Sequence, residues 1–321
     1  MSDRFDYLEI GDERPRPGKA AGVPVPAAPS EGAPTPPAAP RWRVVEVIGG
    51  PGRGFGQFNT PLGLAVDAQG NLLVADSGNH RCQRITPAGD VCSIGERGRG
   101  KGQCEHPTAV AASRTGEVFV LDAGNARVQV FNAAGQWQRE FGRRGAGAAE
   151  FRLPAAAAIG PDGSLYIVDA GNRRVARWDP AGSPLGILAH SERLSFYFGN
   201  PCGVAVTRTG HIYVADRQRR AVLIFTAGFR LERILGSPKS TIQDPRAVWV
   251  DAEGTVFIAD GQANRILVLD CDGRLRQAVE KAGPLGPLAE PAGLAAAPDG
   301  SIYLSDTGHH RILRMAAAGE R

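Results

Sequence analysis

At 321 residues with 42% hydrophobic and 22% charged side chains, the chain holds ample material for a packed core, and no window in it is an apolar run long enough to span a membrane. A formal charge of +4 permits an anionic partner without demanding one. Five cysteines (Cys82, Cys92, Cys104, Cys202, Cys271), odd in number and without CxxC spacing, exclude a disulfide framework or a zinc ribbon and read as buried small residues of a reducing compartment.

The first forty residues differ in kind from the rest. The start MSDRFDYLEI is acidic and lacks the basic and apolar regions of a secretory signal, so the expected location is cytoplasmic. Phe5, Tyr7, Leu8 and Ile10 crowd residues 4–11, which read either as a frayed terminus or as a short docking motif on a tether. From Pro15 to Pro40, nine of 26 residues are proline and seven are alanine, a composition that predicts a disordered, semi-stiff linker. Four basic and six acidic groups in residues 1–40 leave the remainder at about +6 against +4 for the whole chain.

Past the linker, WRVVEVI (Trp42 to Ile48) reads as a strand with no unit of its own. Six copies of one frame follow, each a proline (Pro61, Pro107, Pro154, Pro201, Pro245, Pro291), a glycine nine residues on (Gly70, Gly116, Gly163, Gly210, Gly254, Gly300) and an aspartate fifteen on (Asp76, Asp122, Asp169, Asp216, Asp260, Asp306). A fixed-offset repeat every 44 to 47 residues is one supersecondary unit copied in series. Within each unit a small-residue strand leads through a glycine turn to a continuous apolar strand such as EVFVLD or TVFIAD, the pattern of a strand buried on both faces. A third strand follows, and five units show a fourth. Four strands in six units predict an all-β, six-bladed β-propeller over residues 41–321. Unit six stops short of a fourth strand, so Trp42 to Ile48 is expected to complete the last blade and close the ring.

The stretches DSGNHRCQRI from Asp76, DAGNARVQVF, DAGNRRVARW, DGQANRILVL and DTGHHRILRM resemble the NHL repeat over about residues 42 to 315, although the Leu of the name is not matched literally. Unit four departs from the pattern, with Arg219 at the Asn position and Ala221 where the other units have Arg. The resemblance implies three functional classes: protein-binding propellers, RNA-binding propellers, and lyases or lactonases that hold a metal in the central channel.

The residues weigh against the last class. The six innermost strands carry only Asp67 and Asp251 as acids, both at strand ends, and no histidine, so no catalytic residue, metal or cofactor is expected. His80, His309 and His310 follow blade aspartates and read as turn residues; no Ser-His-Asp, phosphate-loop or HExxH spacing is present. The Asp and Arg five apart in five units (Asp76 with Arg81 onward) read as a repeated structural ion pair. Function is expected where the repeats differ, on the face carrying the second-to-third-strand turns and the blade-linking loops. Arg97, Arg99, Lys101, Arg143, Arg144, Arg152, Arg217, Arg219 and Arg220 gather there, with Phe55, Phe58, Phe151, Phe196, Tyr197 and Phe198 interleaved. Arg217, Arg219 and Arg220 with Arg143 and Arg144 are expected to form one basic patch facing an acidic partner, and reversing Arg217 and Arg220 to spare stability. The expectation is a non-enzymatic binding or scaffold module for a protein partner, without membrane contact and of undefined oligomeric state; RNA binding and metal-dependent lyase or lactonase chemistry are the alternatives.

Overall fold

Proline opens every innermost strand because that position needs no ladder donor, and the strand that follows is built from small residues that let six blades converge. In the computed structural model, which describes residues 41–189, 198–236 and 241–318, six four-stranded antiparallel sheets result. The innermost strands are Pro61–Val66, Pro107–Ala112, Pro154–Ile159, Pro201–Val206, Pro245–Val250 and Pro291–Ala296, each packed beside the next around the ring. All six turn glycines have φ between 81° and 89°, the left-handed region a tight hairpin requires.

The ring closes as the orphan strand suggested. Arg41–Ile48 pairs antiparallel with Arg311–Ala318, from Arg41 opposite Ala318 to Ile48 opposite Ile312, and so forms the outer strand of blade six. Trp42 also reaches blade five: its ring meets Phe257 edge-on at 4.9 Å, and its backbone N–H and carbonyl both bond the Gln277 amide at 2.8 Å.

The core is six apolar layers, each shared by two neighbouring blades. The second strands of four blades, Leu72–Asp76 and Val118–Asp122 among them, are buried at every residue, as their unbroken apolar runs require, and those of blades four and six at every residue but Tyr213 and Tyr303. A further repeated element sits three residues before each proline, where Phe58, Cys104, Phe151, Phe198, Ile242 and Leu288 are buried as wedges between blades. The cysteines therefore divide. Cys82 and Cys104 fill core positions, Cys92 and Cys202 are half-buried, and Cys271 is exposed in a turn, contrary to the expectation that all five are buried. Burial pushes the Cys104 thiol up to about 12 and raises Cys82 and Cys202 well above the ordinary thiol range, so these three stay protonated.

Candidate functional site

The blade aspartates explain how the loop face is held. Asp122, fully buried, accepts the Glu105 N–H at 2.7 Å on one oxygen, and Asn125 Nδ2 at 2.8 Å, Arg127 Nε at 2.9 Å and Gln129 Nε2 at 3.2 Å on the other. Arg127 Nη2 then bonds the Gly100 and Gln103 carbonyls at 2.7 and 2.8 Å, so one network fastens the turn to the loop entering its own blade. Asp76, Asp169, Asp260 and Asp306 hold Arg81, Arg174, Arg265 and Arg311 in the same way. These repeated pairs are scaffold.

The loops entering blades one to three share a second pattern. A Gln or Glu side chain folds back to accept a glycine N–H: Gln57 from Gly54 at 3.0 Å, Gln103 from Gly100 at 3.0 Å, Glu150 from Gly147 at 2.9 Å. At Gly98, where φ is 151°, a Cβ would lie 2.3 Å from Gln103 Oε1, so any larger residue would strain the backbone and displace the Gln103 side chain. This rigid curl carries the variable positions Arg53, Arg97, Arg99, Lys101, Arg143 and Arg144 outward.

The basic residues anchor on different neighbours. Arg99, with 83% of its side chain exposed, pairs with Glu105 at 3.4 Å; Arg143, 79% exposed, pairs with Glu150 at 2.9 Å. Lys101 lies over Trp137 at 5.0 Å from the ring centroid. Arg144 reaches back to the Gly124 carbonyl of blade two at 2.8 Å, whereas Arg217 reaches forward to Asp244 in the loop entering blade five at 2.6 Å. The two groups anchor away from each other. Asp244 also accepts Arg246 at 2.9 Å. Burial opposes its charge, but the hydrogen bonds from Arg217 and Arg246 outweigh that and hold its carboxyl below the usual range. Arg217 is thus a link between blades, and reversing it would put two carboxylates together in place of an ion pair. The Arg219 N–H donates to Asp216 at 3.1 Å, and Arg220 takes the left-handed turn position with φ 52°. Arg152 stands exposed beside Leu153 at the entry to blade three.

Burial divides the aromatics as well. Phe58, Phe151 and Phe198 are wedges inside the core and present no ring face to a ligand, while Phe55 is 68% exposed. Phe196 and Tyr197 lie outside the described residues, as do Phe5, Tyr7, Leu8 and Ile10.

On the innermost strands two side chains latch blades together: Thr108 Oγ1 donates to the Pro154 carbonyl at 2.9 Å and Cys202 Sγ to that of Pro245 at 2.9 Å. Asp67 and Asp251 sit in turns, accepting the Asn71 N–H at 2.9 Å and the Thr255 N–H at 2.7 Å. Among the described residues no group of three His, Cys, Asp or Glu is placed to hold a metal ion. The histidines serve the backbone: His310 Nδ1 accepts the Thr60 N–H of blade one at 2.9 Å, and His80 Nδ1 accepts the His106 N–H of blade two at 3.3 Å. No helix among the described residues is long and apolar enough to cross a membrane.

Known proteins bear out the architecture. A family model described as the NHL repeat matches residues 58–84 and 288–315, and one described as a 6-bladed beta-propeller matches residues 106–197. No curated protein sequence matches the chain. Among solved structures, a Bacteroides thetaiotaomicron protein of unknown function superposes with a TM-score of 0.67 at 18% identity, covering 87% of this chain and 76% of that one. A Xanthomonas campestris gluconolactonase gives 0.64 at 16% identity, covering 89% and 99%, and a catalytically inactive virginiamycin B lyase from Staphylococcus aureus, bound to quinupristin, gives 0.60 at 14%, covering 85% and 85%. At such identities these likenesses show a shared fold and nothing of substrate. The chain thus carries segments that match the NHL repeat and folds as a six-bladed β-propeller.

Proposed function

We propose that this propeller is a non-enzymatic binding module that presents its loop face to an acidic protein surface, with residues 1–40 as a tether into a larger assembly. The observation that carries the reading is the exposed row Arg97, Arg99, Lys101, Arg143 and Arg144 on the loops entering blades two and three. The pairs Arg99 with Glu105 and Arg143 with Glu150 lie in solvent, where screening leaves them little net worth, so a partner's carboxylates exchange into them at little cost. A protein ligand is favoured over RNA because three of the aromatics that would stack bases are wedges in the core. It is favoured over lyase or lactonase chemistry because the six innermost strands, PTAVAA and PAAAAI among them, carry no histidine and no acid.

The test is Arg99→Glu with Arg143→Glu in the full chain, measured against a protein captured from the native source. Association should slow about tenfold at low salt, the difference should shrink as salt rises, and the melting temperature should stay unchanged. Unaltered association and salt response would refute the loop-face reading. Saturable binding of single-stranded RNA would move it to nucleic acid, and turnover of a lactone or a streptogramin would make it an enzyme.

A further inference from the structure

Between blades one and two, on the loop face, lies a pocket of about 240 Å³ lined by Arg53, Gly78, Asn79, His80, Arg81 and Arg97. For scale, a water occupies about 30 Å³ in the liquid. We propose that this pocket is an oxyanion site that takes a phosphate group. The proposal does not rest on the docking reading, because occupancy by phosphate requires no partner protein.

Three arginines line the pocket, and two of them make no ion pair among the described residues. Arg81 is held by Asp76 at 3.0 Å and by the Gly54 carbonyl at 2.6 Å. Arg53 and Arg97 are exposed at the rim and make no ion pair among the described residues. The corresponding place one blade on shows how unusual that is. There the loop arginines are Arg99, paired with Glu105, and Arg144, bonded to the Gly124 carbonyl, and the turn residue is Ala126 instead of His80. Blade two satisfies its cations internally, whereas blade one leaves them facing a cavity.

His80 supplies the second line of argument. Its side chain is only 9% exposed, with its ring 4.2 Å from that of His106. Because Nδ1 accepts the His106 N–H, the neutral ring carries its proton on Nε2, which has no partner among the described residues. A buried ring thus offers one N–H donor beside two unpaired guanidinium groups. Burial, then His106 and Arg97, hold the His80 pKa below the ordinary histidine value, with the Glu105 carboxylate opposing them. A phosphate dianion in the pocket would reverse the sign of that field and favour the imidazolium.

Inorganic phosphate titrated into the full chain at constant ionic strength, with the His80 ring followed by proton NMR, tests the site. The expected result is a saturable shift of the His80 resonance and a rise in its titration midpoint, with chloride giving neither. Arg53→Ala and Arg97→Ala should each weaken phosphate binding about tenfold or more, and Arg99→Ala, at the matching place in blade two, should not. All three side chains are exposed, and an unchanged melting curve confirms that each variant is folded. A parallel arm with O-phosphoserine amide identifies the source: tighter binding than inorganic phosphate marks a phosphomonoester ligand, weaker binding the free ion. Equal effects of phosphate and chloride, or wild-type phosphate binding by Arg97→Ala, would overturn the proposal.

Discussion

A carboxylate with no solvent exposure is tolerated at Asp122 because every lone pair that needs a donor finds one, from a backbone N–H, an amide and a guanidinium together. Removing it strands the Glu105 N–H and the Asn125 and Gln129 amides beside it, and takes from Arg127 its buried carboxylate, leaving that guanidinium only Glu140 and the loop carbonyls. Asp122→Ala should therefore cost about 3 kcal/mol or more in chemical denaturation. Asp162→Ala, which breaks the partly exposed pair with Arg177, should cost about 1 kcal/mol or less. Equal costs would show that the hub is not what holds the loop. This aspartate was legible in the sequence because its identity and offset never vary. The wedge three residues before each proline was not, because the site asks only for apolar volume and accepts Phe, Cys, Ile or Leu. Phe58, Phe151 and Phe198 accordingly read either as base-stacking loop aromatics or as rings packed beneath the loops, and the structure places them in the core. The role of Arg217 was hidden for another reason: its partner Asp244 lies 27 residues away in a different loop.

Neighbouring blades are joined by polar latches as well as by apolar layers. Thr307 Oγ1 donates to the Pro61 carbonyl at 2.7 Å across the seam between blades six and one, as Thr108 and Cys202 do between other blades. Blade four gives up the usual arginine at Ala221 and gains Arg217, whose pair with Asp244 fastens it to the loop of blade five. Since the folded-state pKa of Asp244 lies below its unfolded value of about 3.9, the stabilisation is complete above that value and is lost as pH falls through the folded one. Melting temperatures taken at pH 7 and at successive steps below pH 4 should converge between wild type and Asp244→Asn as acidity increases. A constant gap across that range would rule out the titration of Asp244 as the cause.

Across the whole ring, stability depends on every interface being present, because each blade buries its faces only against its neighbours. The fold was legible at this scale because six registered copies fix the blade count and a surplus strand at one end matches a deficit at the other. Which loop cations pair with which carboxylates was not legible, because ion pairing between loops depends on how the ring curves. Deleting residues 1–48 should bare the edge of Arg311–Ala318, lower the melting temperature by about 10 °C or more and promote aggregation, while deleting residues 1–38 should do neither. Equal melting of the two truncations would refute closure by the N-terminal strand. The antiparallel register at this seam also sets its response to force. Arg41 and Ala318 face each other at the same end of the pair, so whatever the chain carries before the one and after the other departs from a single corner of blade six. Tension applied between those two points loads the hydrogen bonds one after another, as a zipper is opened, instead of shearing them together. A pull applied at that corner therefore opens the clasp bond by bond from Arg41 and Ala318 toward Ile48 and Ile312.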